Sequence, residues 1–365
     1  MGDKQRLTSS RKLDHLHICA EKPVESGDAG FGDIRFVHNA LPECDMGKID
    51  LTSRFLNHTL ASPLFISAMT GGHPGTSDVN ARLARAAERY GIGMGVGSQR
   101  AALENPDLAG TFSIVRDEAP HAFLVANLGA VQLRDHGIEW AERAVAMLEA
   151  DALAIHLNFL QEAIQPEGDH NAIGCFAAIA DLCHEFRTPV IIKETGCGIS
   201  AATARKCWGA GVSAIDVGGW GGTSWAAVES VRAAGGTTEH NRRLRILGED
   251  FAGWGIPTVV SLAEVRATGS PVIASGGIRS GVDVAKGIAL GADLCGMALP
   301  LLKPAMESDA ALFRAIDAIH QELTVTMFLT GSACPGDLRK APVHITGRTR
   351  QMIEKDNPAR IRRER

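Results

Sequence analysis

Aromatic side chains are scarce in this chain. They make up 5% of its 365 residues, with a single tyrosine among them. Platforms on which nucleic-acid bases stack are therefore not expected. Excess positive charge is missing too. The formal net charge is −5, which argues against a nucleic-acid partner held by counterion release. No run of about 18 apolar residues occurs, so no membrane-spanning helix is expected. The polar start, Met1 to Lys12, lacks the apolar core of a signal peptide. None of the eight cysteines forms a C-x-x-C pair of the kind that zinc and redox motifs use. Several lie inside apolar patterns, where cysteine acts as a small hydrophobe. Reduced thiols in a cytoplasm are the expectation.

What the chain does have is an ordinary globular balance, 45% hydrophobic and 22% charged. From residue 64 onward, short apolar runs alternate with amphipathic stretches of helix length. Strands are expected at 64–69, 93–97, 123–128, 152–157, 189–193, 214–217, 271–275 and 294–298. Helical patterns lie between them, at 78–90, 138–150, 171–186, 200–210, 281–291 and 309–328. Asp78, Ser200 and Ser280 suit N-caps, and Gly91 and Gly211 suit helix stops. Eight such alternations describe an α/β chain folded as a (β/α)8 TIM barrel. An open doubly wound sheet would carry one glycine fingerprint after its first strand, whereas here Gly-rich turns follow several strands. Residues 1–63 are expected as an N-terminal arm with few helical features, packed across the barrel of 64–337. Residues 338–365 are basic and read as a solvated tail. A long connection at 221–256, rich in Gly, Thr and Arg, separates the sixth strand from its helix. Its length suggests a lid or a disordered loop.

Active sites of such barrels lie at the C-terminal ends of the strands. Here those ends are polar almost throughout: Met69-Thr70-Gly71-Gly72, Ser98-Gln99-Arg100, Asn127, His156-Leu157-Asn158, Lys193-Glu194-Thr195, 218–223 and Ser275-Gly276-Gly277-Ile278-Arg279. One polar end would mean nothing, but this many on one face are hard to explain as packing. Gly276 and Gly277, just before a helix, let the backbone approach a phosphate, and the loops after strands seven and eight commonly bind one. The alternative is a tight turn needing positive φ. Lys193 either snorkels into solvent or faces a ligand anion, such as the reduced ring of a flavin. Asn127 suits a flavin's pyrimidine edge or a structural amide role. Glu162 beside Gln161 is either an exposed carboxylate or a hard oxygen ligand for Mg2+. His156 is either a core histidine or a site residue. Arg11 and Lys12 are solvated charge, or join Arg100 in clamping a diphosphate.

Together these residues resemble the type 2, FMN-dependent isopentenyl diphosphate isomerases. The resemblance runs from about residue 11 to about residue 352. Its anchors are Arg11-Lys12 with His15, the 67–72 turn, 97–100, 126–129 and His156-Leu157-Asn158. They continue through Gln161-Glu162, 165–169, 193–196, 216–219, 221–225 and 275–279. The 156–169 block combined with 221–225 is the most specific part. The resemblance implies that Ala68, Met69, Thr70, Ser98, Asn127, Lys193 and Thr223 contact FMN. Gly277, Ile278, Arg279, Ala298 and Leu299 would hold its phosphate. Arg11, Lys12, Ser98, Gln99, Arg100 and Gln161 would meet the substrate, and Glu162 would bind Mg2+. His156, Gln161, Glu229 and Lys193 are the candidate catalytic groups. The implied reaction is a redox-neutral 1,3-allylic proton shift in isoprenoid biosynthesis, with FMN reduced by NADPH or NADH. A small diphosphate is the implied partner, and a homotetramer or homo-octamer the implied assembly. Phe159 departs from the family's pattern, standing where proline is expected. The rival readings are an FMN-dependent oxidoreductase (a 2-hydroxy-acid oxidase, or an enzyme like IMP dehydrogenase) and a non-catalytic flavin-binding module. An IMP-type enzyme needs a nucleophilic cysteine, for which Cys197 is the candidate.

Overall fold

The computed structural model describes residues 3–356. Eight parallel strands, Leu64–Ile66, Gly93–Gly95, Leu124–Gly129, Ala152–Leu157, Val190–Glu194, Ala214–Asp216, Val272–Ser275 and Leu294–Met297, close into a barrel. Closure comes from the eighth strand pairing with the first, Cys295 opposite Leu64. The strands are short and buried on both faces, which is why their sequences are apolar without alternation. Inside the barrel, Phe65, Val125, Ala154, Ile191 and Ile273 pack on a floor made by Phe55, Leu60 and Phe123. A hairpin, Ser53–Phe55 with His58–Leu60, supplies part of that floor. Leu56 and Asn57 both take positive φ at its turn, the geometry that a two-residue hairpin loop requires. With the N-terminal end plugged by this hairpin, the open end of the barrel is the C-terminal one.

The outer helices follow the expected pattern in outline. Ser200 and Ser280 cap their helices by accepting hydrogen bonds from the Thr203 and Asp283 main chains. Gly91 ends the helix Ser77–Tyr90 at φ 58°, a left-handed conformation that glycine adopts without strain. Asp78 is not that helix's cap. Thr76 occupies the position, and Asp78 lies in the first turn, where a negative charge favours the helix dipole. Among the described residues, no helix is long and apolar enough to cross a membrane.

Three segments depart from expectation. The N-terminal arm contains a 19-residue helix, Asp3–Glu21. Arg11, Lys12, His15, Leu16, Cys19 and Ala20 recur at helical spacing on one face, and Arg11, His15, Leu16 and Ala20 are buried. A stripe that mixes cations with small apolar residues does not look amphipathic, so the pattern hid the helix. The 221–256 connection is not a structureless loop either. It holds the helices Trp225–Ala234 and Glu239–Asp250, capped by Ser224 and Thr238, before the helix Thr258–Arg266 resumes the barrel repeat. Within the expected solvated tail of 338–365, the described residues 343–356 are docked instead. Val343–Ile345 pairs antiparallel with Ile34–Phe36, and the helix Gly347–Asp356 follows. Asp33 fastens that helix by accepting from the Thr349 main chain at 3.0 Å. The expected solvated run at 357–365 lies outside the described residues.

Candidate active site at the barrel mouth

One large cavity opens at the C-terminal end of the barrel. On one side the chain turns at Gly276 (φ 101°) and Gly277 (φ 69°) before the helix Gly281–Ala289. A side chain there would strike main chain, since a Cβ on Gly276 would come within 2.1 Å of the Gly219 carbonyl oxygen. The contact at Gly222 is more telling. A Cβ placed there would lie 2.4 Å from the Gly277 nitrogen and 3.2 Å from Arg279 Nη2. Gly222 therefore packs its main chain tightly against the Gly277 turn, while Gly277 and Arg279 line the cavity, where a main-chain N–H beside a guanidinium suits an anion. Glu25 holds Arg279 in place through Nε at 2.8 Å. Ile278 is buried with its side chain in the core, so only its main chain could serve a ligand.

Deeper in the cavity, Ser67 Oγ and Thr70 Oγ1 are buried with no hydrogen-bond partner. Buried polar groups are almost always satisfied, so two orphaned hydroxyls on one cavity wall point to a polar ligand. Across from them Lys193 Nζ meets Asp216 Oδ2 at 3.0 Å, and Asp216 also accepts from Ser275 Oγ. Asn127 Nδ2 donates to the Val96 carbonyl at 2.9 Å, which turns its Oδ1 toward His156 Nδ1 at 2.8 Å. His156 must then carry its proton on Nδ1 and keep a lone pair on Nε2. Burial, reinforced by the charges of Lys12, Lys193 and Arg100, pushes the imidazole down to about 3, so it is neutral at physiological pH.

The opposite wall is cationic. Arg11 and Lys12 enter from the Asp3–Glu21 helix, and Arg100 enters after the second strand. Burial, together with Arg11 and Arg100, pushes the Lys12 ammonium down to about 7. Arg11 Nε is buried without a partner. Facing them, the helix Phe159–Ile164 presents Gln161 and Glu162. Glu162 is buried rather than an exposed loop carboxylate. It accepts from Asn158 Nδ2 (2.9 Å), Gln165 Nε2 (2.6 Å) and the Asp169 main chain (2.8 Å). Gln161 Nε2 donates to Glu229 Oε1 at 3.0 Å. Burial alone would raise the Glu229 carboxyl. Hydrogen bonding from His15, with Arg232 and Gln161 adding to it, brings it down to about 2 instead. Glu229 does not line the cavity, so it stands behind Gln161.

Of the expected substrate contacts, Gln99 is not brought to the cavity. Its Nε2 donates to the Ala144 carbonyl at 2.8 Å, its Oε1 accepts from the Asn127 main chain, and the side chain is fully buried. Ala68, Met69, Thr70, Ser98, Asn127, Thr223, Ala298 and Leu299 all line the cavity.

The family model of the FMN-dependent dehydrogenases matches residues 125–345, more than half of the chain. An isopentenyl-diphosphate delta-isomerase of Methanoregula boonei is 73% identical over 98% of this chain and 99% of its own. The chain belongs to the type 2, FMN-dependent isopentenyl-diphosphate delta-isomerase family. The Methanosarcina mazei enzyme of the same name is 51% identical over 95% of this chain and 94% of its own. Among solved structures, a mandelate oxidase variant with a monooxide FMN adduct is 16% identical, with a TM-score of 0.62 over 94% of this chain and all of its own. A flavocytochrome b2 variant with pyruvate bound is 18% identical, with a TM-score of 0.65 over 94% of this chain and 85% of its own. These two likenesses speak for the fold alone.

Within this isomerase family, Phe159 in place of proline is harmless to the backbone. It is the first residue of its helix, a position where proline and other residues are interchangeable because that N–H has no partner inside the helix. Sequence reading missed the cavity residues Cys19 and Gln132, and it gave no role to Gln165 and Trp225, anchors of the resemblance that also line the cavity. For Cys19 a signal existed, namely its spacing of four from His15 and eight from Arg11.

Proposed function

We propose that this protein interconverts isopentenyl and dimethylallyl diphosphate by a redox-neutral 1,3-allylic proton shift, using reduced FMN and Mg2+. One observation carries the reading. A single cavity combines the Gly276-Gly277 turn, Arg279 and two orphaned hydroxyls with a cation cluster and the neutral His156. The family membership supports it. Ala68, Met69, Thr70, Ser98, Asn127, Lys193 and Thr223 would flank the flavin ring. Gly277, Arg279, Ala298, Leu299 and the Ile278 main chain would hold its phosphate. Reduced FMN supplies a ring nitrogen able to give and take a proton.

The protein's own groups do the rest. Lys193, steadied by Asp216, would offer a fixed positive charge to the negative charge of a bound reduced flavin. Arg11, Lys12 and Arg100 bind the diphosphate, so binding energy remote from the reacting carbons positions the alkene. Ser98 lies beside them at the mouth. Neutral His156 offers the Nε2 lone pair. Gln161 connects the cavity to the ionised carboxylate of Glu229, which can accept a proton and return it. Glu162 suits Mg2+ as a single ligand. Three donors leave its carboxylate one acceptor site, and Mg2+ typically takes one or two carboxylates, with substrate phosphates and waters completing the shell. NADPH or NADH would prime the flavin without being consumed per turnover. The same reading places the protein in isoprenoid biosynthesis in the cytoplasm, as a homotetramer or homo-octamer.

Two features disfavour an oxidoreductase. The Cys197 thiol is pushed up to about 12 by burial and by the neighbouring Glu194 charge, so it does not supply a nucleophilic thiolate. Neither the 217–223 turn after the sixth strand nor the 275–279 turn after the seventh supplies a histidine that could serve an oxidase as base. The test is anaerobic turnover of isopentenyl diphosphate with dithionite-reduced FMN, Mg2+ and no nicotinamide. Dimethylallyl diphosphate should form while the flavin stays reduced. Absence of product with FMN bound would sink the reading.

A further inference from the structure

Behind the cavity wall, five side chains from three parts of the chain form a ring that one turn of the Asp3–Glu21 helix closes. Arg11 Nη1 meets Glu167 Oε1 at 3.1 Å, and the same oxygen takes Arg232 Nη2 at 2.5 Å. Arg232 Nη1 then meets Glu229 Oε2 at 2.6 Å. Glu229 Oε1 accepts from His15 Nε2 at 2.9 Å, and His15 stands one helical turn after Arg11. We propose that Arg232 is a positioning residue of the isomerase site, tying the diphosphate grip at Arg11 to the proton relay at Gln161 and Glu229 through Glu167. This rests on the isomerase reading given above.

The ring does something that neither half does alone. Two guanidiniums and two carboxylates cancel, so a mostly buried network carries no net charge that water would have to solvate. Arg11 is oriented by Glu167 and Gln165 (3.2 Å), while its Nε remains buried without a partner, ready for an anion. Glu229 is fully buried, and Arg232 is the permanent cation against it. The other groups facing Glu229 are His15 and Cys19 from the N-terminal helix and Gln161 from the helix Phe159–Ile164. Burial pushes His15 down, and Arg11 and Lys12 press it the same way, while the Glu229 carboxylate pulls it back up. Burial pushes the Cys19 thiol up to about 12, so it adds no charge. On its far side the Trp225–Ala234 helix meets Glu239–Asp250 through Ser230 Oγ and the Arg245 carbonyl at 3.0 Å. Without Arg232, the Glu229 carboxylate would lose its one lasting countercharge and take up a proton at a higher pH. A protonated Glu229 cannot accept one through Gln161.

The test uses the FMN-loaded, full-length protein and the variants Arg232→Gln, Arg232→Lys and Glu167→Gln. Arg232→Gln is expected to lower kcat at neutral pH by about 100-fold and to move the acidic limb of kcat toward neutrality, while FMN stays bound. Arg232→Lys should restore most of the rate, and Glu167→Gln should raise KM for isopentenyl diphosphate more than it lowers kcat. An independent readout is the infrared band of a protonated buried carboxyl. It should appear in R232Q at weakly acidic pH and vanish in R232Q/E229Q. A loss of kcat with an unmoved acidic limb and no new carboxyl band would reduce Arg232 to a structural tie and overturn the proposal, as would unchanged kinetics. If the wild-type protein does not isomerise the substrate, the isomerase reading fails instead, while the infrared band still decides whether Arg232 keeps Glu229 ionised.

Discussion

Among the described residues no carboxylate pairs directly with Lys12, and burial makes its charge costly unless an anion arrives. Lys12→Ala should therefore raise KM for the diphosphate by about 10- to 100-fold, the worth of a hydrogen bond to a charged group, and change kcat little. Steady-state kinetics at saturating Mg2+ decide this, and an unchanged KM would move the substrate elsewhere. Thr70 makes the complementary case. Its hydroxyl is buried and unbonded without a ligand, so Thr70→Ala should leave FMN-free protein as stable as before, or slightly more so, by up to about 1 kcal/mol. The same change should weaken FMN binding. A comparable loss of stability with and without FMN would contradict a ligand-facing role. Most residues of this kind were legible in the sequence because each closes a barrel strand, where geometry leaves a polar side chain little to do but face the mouth. Gln99 was misread for the same reason. It too ends a strand, but its amide is spent on Ala144 and on the Asn127 main chain, and nothing in the local sequence distinguishes those two fates.

The eight strands could be read from the chain because burial on both faces makes each a short apolar run, and the glycine turns mark where each stops. The elements that were not legible are those held by tertiary contacts. The Asp3–Glu21 helix buries Arg11 and His15 against the ring partners Glu167 and Glu229, so its inner face is polar and looked solvated. The helix Glu239–Asp250 follows a Gly235-Gly236 break and is crowded with arginines paired within it, such as Arg245 with Glu249 at 2.5 Å. Its charge suggested a loop. The turn at Gly222 supports a sharp prediction at this scale. Its φ needs no glycine, but the methyl of Gly222→Ala would strike the Gly277 main chain, so the change should displace the turn that carries the Gly277 N–H. FMN affinity should fall by about 10- to 100-fold, as expected for overpacking a fitted site, with riboflavin, which lacks the phosphate, much less affected. Isothermal titration with both flavins tests this, and equal losses would show that the phosphate sits elsewhere.

For the whole molecule, stability and function meet in the groups that the cavity keeps uncharged. His156 is held neutral down to about pH 3 in the folded state, whereas an unfolded chain protonates it near 6.5. As pH falls below 6.5 the unfolded state takes up the proton first. FMN-free protein should therefore lose stability from there downward, by up to about 1.4 kcal/mol per pH unit for each such proton. His15 and His320 act in the same direction, and Glu229 adds to the loss only below its ordinary range near 4.5. Urea unfolding at pH 7.5 and 5.5 should show a smaller drop for His156→Gln than for the wild type, and equal drops would mean that the imidazole is charged in the folded protein. The hairpin floor closes the N-terminal end of the barrel, and the N-terminal helix borders the cavity that opens at the C-terminal end. Chemistry at that face is the central claim. Its most direct test is the ratio of dimethylallyl diphosphate formed to NADPH oxidised, followed anaerobically over time. A ratio that climbs far above one as turnover proceeds is the predicted result, because the nicotinamide only primes the flavin. A ratio fixed at one would contradict a redox-neutral proton shift.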